Sequence, residues 1–168
     1  MKRTAFIFIL LFVFFLIACV APVVHNTNSG RPEITIAGKV GDQAIARIMD
    51  RMLSHSYSVK TATNNFLVFE KPIDNIWLKA LMSSRYDSTP IIRTTFSIIE
   101  IAETTRIVIA LMAVSNSGSA FERITSLDNN QASVEAAEFL NNLKTQIENA
   151  NNKHKPTSKK NKKQLMAK

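Results

Sequence analysis

The sequence has few of the residues that usually form metal and nucleophilic sites. Cysteine occurs once, at Cys19, and the three histidines, His25, His55 and His154, are spread along the chain. A zinc site needs three or four converging ligands, so this supply excludes zinc-type ligand sets. His55 lies near the end of a predicted helix, where a single histidine is typical of a capping or surface residue. We therefore expect neither a metal nor a cofactor.

Glycine is also scarce, with four residues in the chain. None of them forms a GxGxxG or GxxxxGK pattern, so the common phosphate-binding loops are not expected. Paired carboxylates can hydrolyse glycosidic bonds, but they need a defined separation. No such spacing distinguishes the acidic residues Asp74, Glu100, Glu103 and Glu122. The chain is therefore predicted to be non-enzymatic, and a periplasmic cell-wall hydrolase that uses carboxylates is the alternative.

The middle of the chain lacks the basic excess that the whole chain shows. The formal net charge is +8, but Lys2 and Arg3 lie at the start and seven lysines lie from Lys153 onward. Between these ends, twelve basic residues balance all thirteen acidic ones. A nucleic-acid-binding domain carries its basic excess on a folded face, so no nucleic acid partner is expected.

The last residues, 151–168, are rich in lysine and poor in apolar side chains. Such a segment buries too little surface to offset its chain entropy, so it is expected to be a disordered tail. Its lysines are candidates for contact with phosphates of envelope lipids or carboxylates of an envelope polymer. The foremost of them are Lys159, Lys160, Lys162 and Lys163. A purely solubilising tail is the alternative.

A long apolar run stands near the N-terminus. Residues 5–21 read AFIFILLFVFFLIACVA, without charge, and follow Met1-Lys2-Arg3. A basic start before an apolar stretch is the layout of a secretory signal peptide. An uncleaved membrane anchor is one alternative, because the run reaches the lower limit of a spanning helix. Ordinary cleavage after Ala21 is another, although it would leave the unfavourable Pro22 directly beyond the cut.

The end of this run, Leu16-Ile17-Ala18-Cys19, resembles the lipobox of bacterial lipoprotein precursors. The resemblance implies that the Cys19 sulfur, a nucleophile, receives a diacylglyceryl group. It also implies cleavage after Ala18 and acylation of the new amino group, typically with palmitate. Two or three acyl chains anchor a protein durably. Val20 follows the cysteine, where Asp would favour the inner membrane, so the resemblance implies the outer membrane. The domain is expected to face the periplasm, and the cell surface is the alternative.

Four segments follow from these patterns. Residues 1–18 are the predicted lipoprotein signal peptide and 19–39 the lipidated cysteine with a flexible tether, in which EITIAG is a possible strand. Residues 40–150 are the predicted globular domain, and 151–168 the tail.

Apolar residues at helical spacing predict three helices in the domain. The first covers 42–56, with Asp42 as N-cap and a stripe of Ile45, Ile48, Met49 and Met52. The second begins at Pro72 and carries Ile73, Ile76, Trp77, Ala80 and Leu81. Trp77 is expected in the core, and an exposed partner anchor is its alternative. The third, near the end of the domain, has a stripe of Ala136, Leu140, Leu143 and Ile147.

Runs rich in Ile, Val and Thr predict the strands. Two strands flank a turn at Thr63-Asn64-Asn65, and two longer ones flank a hairpin turn at Glu103-Thr104-Thr105. Another follows the polar segment SNSGSAFER, residues 115–123, which is a plain turn or a recognition loop. The order of elements predicts an α+β fold of two layers, with an antiparallel sheet and helices packed on one face.

The sequence therefore predicts a lipid-anchored cell-envelope protein whose domain is a binding or scaffold module. This plan is similar to that of accessory lipoproteins of the outer-membrane barrel-assembly machinery, by analogy of architecture alone. The expected partners are the membrane, through the lipid, and an envelope protein complex. Alternatives to a free-standing module are a lipoprotein subunit of a secretion or conjugation system and one of an outer-membrane assembly system.

Overall fold

The computed structural model describes residues 22–74 and 89–153. Within them the chain forms six strands and two helices in the following order: β1 (Glu33–Ala37), α1 (Gly41–Ser54), β2 (Ser58–Ala62), β3 (Phe66–Pro72), β4 (Ile91–Ile101), β5 (Thr104–Ser115), β6 (Arg123–Ser126) and α2 (Gln131–Lys153).

The strands form one antiparallel sheet in the order β1-β5-β4-β3-β2, and β6 also pairs with β5. β4 occupies one edge of β5 along its length. β1 and β6 share the other edge, where β1 pairs with residues 104–108 and β6 with residues 112–115. The two helices pack against the sheet, which confirms the predicted α+β fold.

The core lies between the helices and one face of the sheet. The stripe predicted for the last helix is confirmed, because Ala136, Leu140, Leu143 and Ile147 are all buried. They pack with buried side chains of α1 and the strands, among them Ile48, Ile36, Phe69, Phe96 and Ile107. Side chains alternate between the two faces of a strand, so alternate residues of the strands contribute to this core.

Three local predictions differ from the structure. Asp42 is not the N-cap: α1 begins at Gly41, and Val40 occupies the cap position without a side-chain hydrogen bond. The hairpin turn is shorter than predicted, because Ile101 pairs with Thr104 and only residues 102–103 connect β4 to β5. Pro72 does not begin a helix but ends β3, paired with Ile91 of β4.

Ile73, the next residue of the predicted second helix, is buried and donates its backbone N–H to the Pro90 carbonyl at 3.0 Å. The predicted helix residues from 75 onward, including Trp77, lie outside the described residues. Pro72 can end β3 because a proline at a position without a partner strand on one side loses no hydrogen bond of the sheet through its missing N–H. The predicted turn at Thr63-Asn64-Asn65 does connect β2 to β3.

Residues 22–39, part of the segment predicted as a tether, pack on the domain. Ile34 and Ile36 of β1 are buried in the core, and Ile109 of β5 donates its backbone N–H to the Pro32 carbonyl at 2.9 Å. The alternating apolar residues of EITIAG are thus part of the sheet.

Candidate functional site

The residues that the sequence singled out most strongly lie outside the described part of the chain. They are Cys19, Lys159, Lys160, Lys162 and Lys163. The structure does describe the chain from Pro22 onward and the helix that precedes the lysines. The candidate site is therefore defined here by the surface to which the N-terminal segment is attached.

Residues 22–25 are fixed at the start of α2. The backbone N–H of Val23 donates to the Asn129 carbonyl at 3.1 Å. The His25 Nε2 atom lies 2.8 Å from the Ser133 hydroxyl. That hydroxyl donates its own proton to the Asn130 carbonyl at 2.7 Å, so His25 is the donor to Ser133.

The segment is attached a second time through Asp128. This residue is 7% exposed, and its carboxylate accepts the Leu111 backbone N–H at 2.9 Å and the Ser126 hydroxyl at 3.0 Å. The Arg31 guanidinium lies 3.0 Å from the same carboxylate. Asp128 therefore joins the N-terminal segment, β5 and the end of β6 at one point.

Residues 116–122 form a loop between β5 and β6 that an arginine of β4 holds in place. Arg93 donates from one Nη atom to Glu122 Oε1 at 3.0 Å and from the other to the Ser117 hydroxyl at 3.3 Å. Glu122 Oε2 in turn accepts the Gly118 backbone N–H at 2.8 Å. The φ angle of Gly118 is +76°, a conformation that glycine adopts without a steric penalty.

Arg93 also donates to Glu70 of β3 at 2.7 Å, and Lys60 of β2 donates to the same Glu70 oxygen at 2.7 Å. Burial raises the pKa of Glu70, but the hydrogen bonds from Lys60 and Arg93 outweigh it and hold that pKa below its usual range. The hydrogen bond from Arg93 likewise lowers the pKa of Glu122. The loop is thus held by groups that stay charged at neutral pH.

A similar pair lies on β1 and β5. Arg106 donates to Glu33. Burial raises the pKa of Glu33, but the hydrogen bonds from Arg106 and Ser29 and the charge of Arg106 together outweigh it, so that the pKa lies below its ordinary value.

Apolar side chains are exposed along the edge of the sheet that β6 forms. Among the described residues, Val24 is 84% exposed and Phe121, near the end of the 116–122 loop, is 79% exposed. Ile124 of β6 is 55% exposed. We call this surface the β6 edge: residues 121–129 together with the attached residues 22–25.

A polar groove of about 780 Å³ lies at the opposite end of the sheet. It contains the start of α1, where the Gly41 backbone N–H donates to Glu100 Oε1 at 2.9 Å. Its other polar lining includes Gln43, Asn64, Asn65 and Asn151. Glu100 therefore serves as the cap that the sequence assigned to Asp42.

The four acidic residues considered for glycoside hydrolysis do not form one cluster. Glu122 is paired with Arg93 near Ser115, at one end of β5, whereas Glu100 and Glu103 lie by the hairpin at the other end. The eleven residue steps of β5 correspond to about 36 Å. A catalytic pair needs a separation below about 10 Å, so Glu122 and Glu100 cannot act on one bond. Asp74 lies 3.3 Å from Lys71.

Within residues 22–74 and 89–153, no group of three His, Cys, Asp or Glu side chains is arranged to hold a metal ion. His55 follows α1 at the C-cap position, and its Nδ1 atom lies 2.9 Å from the Arg51 carbonyl. The sequence predicted a capping or surface residue, and the exposed His55 is both. The helices in this part of the chain also lack the combined length and apolar character of a membrane-spanning helix.

Sequence reasoning missed Asp128 and Arg93. Each is a single charged residue whose partners come from distant strands, so no local pattern marks it. The sequence contains only a weak indication of Asp128. Ser126 and Asp128 lie two positions apart between a strand and a helix, a spacing typical of side chains that form hydrogen bonds with nearby backbone.

Comparison of the chain with protein-family models, with curated proteins and with solved structures found no match.

Proposed function

We propose that this chain is a lipid-anchored protein of the bacterial outer membrane, facing the periplasm, whose domain is a non-enzymatic binding or scaffold module. The lipobox resemblance at Leu16-Ile17-Ala18-Cys19 supports the anchor. The structural observation behind the proposal is the hydrogen bond to Asn129 from Val23, which lies four residues beyond Cys19.

This attachment makes the link between lipid and domain short. Four extended residues reach at most about 14 Å. A lipid on Cys19 would therefore hold the start of α2 within that distance of the membrane surface. The domain would then lie close to the bilayer, without a long flexible tether between the two.

The lysine-rich tail leaves the domain far from this attachment. α2 has 23 residues, which correspond to about 34 Å at 1.5 Å per residue. Ser133 of its first turn bonds His25, whereas Asn151 of its last turn lines the polar groove. The described chain therefore ends at Lys153, about 34 Å from the start of α2. We therefore propose contact with carboxylates of the cell wall.

The test is the chemical state and location of the full-length protein expressed in a Gram-negative host. Mass spectrometry should find a mature N-terminal peptide that begins at Cys19 and carries acyl groups, and the protein should fractionate with the outer membrane. Cys19→Ser is the matched variant, and it should remain an unprocessed precursor without acyl mass. A peptide that begins before Cys19, or that carries no acyl mass, would contradict the proposal.

A further inference from the structure

We infer that the β6 edge is a second membrane contact, in which Phe121 enters the interfacial region of the lipid bilayer. This inference rests on the proposed lipid anchor, because the anchor determines which surface lies near the membrane. It adds a protein surface to the lipid as a means of attachment and thereby sets the orientation of the domain.

The exposure of three apolar side chains is the first observation. Val24 and Phe121 have the highest exposed fractions among the large apolar residues described, at 84% and 79%, and Ile124 is 55% exposed. An aromatic ring that water covers on nearly all sides contributes nothing to the core. Exposed apolar groups that gather on one edge mark a surface for protein or membrane interaction.

The second observation is that the loop carrying Phe121 is ordered by its own hydrogen bonds. The Phe121 backbone N–H donates to the Ser119 hydroxyl at 3.1 Å, and that hydroxyl donates to the Asn116 carbonyl at 2.8 Å. The Glu122 backbone N–H donates to the Ser119 carbonyl at 3.2 Å. Little conformational entropy remains to be lost when such a loop binds. The exposed ring is thus pre-organised for contact.

The position of the lipid is the argument for a bilayer as the partner. Phe121 precedes β6 and Asn129 follows it, so eight residue steps, or at most about 29 Å, separate Phe121 from Asn129, to which Val23 is bonded. Cys19 in turn lies within about 14 Å of Val23. The lipid and the three apolar side chains can therefore reach one membrane surface together.

Charge is compatible with this orientation. Glu122 beside Phe121 is neutralised by its ion pair with Arg93. Arg123, the next residue, is exposed and forms no ion pair with another described residue. A basic side chain beside an apolar one favours an anionic lipid surface.

The experiment uses the full-length protein with its lipid, reconstituted in vesicles of phosphatidylethanolamine and phosphatidylglycerol. Cys19 is the single cysteine of the chain, and its sulfur cannot react when it carries a diacylglyceryl group. Phe121→Cys therefore offers one thiol for an environment-sensitive fluorophore. Ala120→Cys, also exposed, probes the same loop and keeps Phe121. Ile101→Cys is the matched control, 59% exposed at the far end of the sheet.

We expect the labels at 120 and 121 to shift to shorter emission wavelengths in vesicles and to lose most of their quenching by iodide. Nitroxide groups on lipids near the headgroups should quench them. The label at 101 should stay accessible to iodide and unaffected by nitroxide lipids.

Labels at 120 and 121 that behave like the label at 101, in a protein that floats with the vesicles, would overturn the inference and leave the anchor intact. The labels could instead become protected from iodide as the protein density in the vesicles rises, without being quenched by nitroxide lipids. That result would identify a protein partner and would also overturn the inference. A protein whose Cys19 takes up the fluorophore and that does not float would contradict the proposed lipid anchor itself.

Discussion

The carboxylate of Asp128 accepts the backbone N–H of Leu111 at 2.9 Å, at a place on β5 between the stretches paired with β1 and β6. A side chain thus provides the acceptor that a continuous edge strand would provide from its backbone. The same carboxylate lies 3.0 Å from Arg31. One buried acidic residue therefore closes the gap between two short strands and holds the N-terminal segment beside it.

Asp128→Ala should lower the free energy of unfolding by about 2 kcal/mol, because a buried N–H loses its acceptor. Urea denaturation of the purified protein measures this loss. Asp50→Ala, at an exposed position of α1, is the control and should change stability by less than about 0.5 kcal/mol. Equal denaturation midpoints for the two variants would show that Asp128 has no such role.

Acid should destabilise the protein through Glu33 and Glu70. Both have a folded pKa below the ordinary value of 4.5, so their contribution is complete above that pH and is lost as the pH falls through the folded pKa values. Glu70→Gln should lower stability by about 1 kcal/mol at neutral pH. The difference from the unchanged protein should shrink as the pH falls below 4.5 and through the folded pKa of Glu70.

Thermal unfolding followed from neutral to acidic pH measures this effect. Glu135→Gln, exposed on α2 and without an ion pair to another described residue, is the control and should leave the profile unchanged. A constant difference between Glu70→Gln and the unchanged protein at all pH values would contradict the prediction.

Two buried threonines should respond in opposite ways to replacement by valine. The Thr94 hydroxyl is buried and has no hydrogen-bond partner among the described residues. The Thr105 hydroxyl donates to the Gly38 carbonyl at 2.8 Å and accepts the Val40 N–H at 2.9 Å. Thr94→Val should stabilise by about 1 kcal/mol, and Thr105→Val should destabilise by about 2 kcal/mol. Chemical denaturation of both variants provides the comparison, and a shared sign would refute the assigned hydrogen bonding.

Gly41 and Glu100 should show coupled effects on stability. A Cβ atom on Gly41 would lie 2.7 Å from Glu100 Oε1, so Gly41→Ala must displace the carboxylate that caps α1. We expect a loss of about 1 kcal/mol. With Glu100→Ala already present, the same change should become neutral or favourable, because alanine is the better helix former. A double-mutant cycle measures the coupling, and additive effects would rule out the cap.

Removal of residues 154–168 should weaken binding of the protein to purified cell-wall polymer, and the effect should fade as salt rises. Co-sedimentation at several ionic strengths measures it. Replacing Lys159, Lys160, Lys162 and Lys163 by glutamine keeps the length of the tail and should have a similar effect. Unchanged binding in both variants would leave the tail a solubilising role alone.

The sequence carried enough information for the elements whose pattern is local. α2 could be predicted because one stripe of four apolar residues is repeated at helical spacing and is buried. β4 and β5 could be predicted because both are long and rich in β-branched residues. Such patterns depend on the neighbours of each residue in sequence, and no distant contact changes them.

The predictions were wrong where a residue distant in sequence determines the local structure. Glu100 caps α1 from β4, 59 residues away in sequence, so a local rule selected Asp42. Pro72 fits the first turn of a helix, but pairing with Ile91 extends β3 through it. The β6 edge also depends on contacts between residues that are distant in sequence. Arg93 and Asp128 act through partners that no spacing in the sequence reveals.

The attachment of residues 22–25 also has a consequence for the timing of biosynthesis. His25 and Ser133 are separated by 108 positions, so their contact cannot exist until the last helix has been made. At about 5 to 20 residues per second, the ribosome needs roughly 5 to 20 seconds to add the 108 residues between them. Throughout this interval no contact with α2 restrains the chain that follows Cys19. Under the proposed lipid anchor, enzymes that modify Cys19 would have access to it in this window, before folding brings its neighbours against the domain.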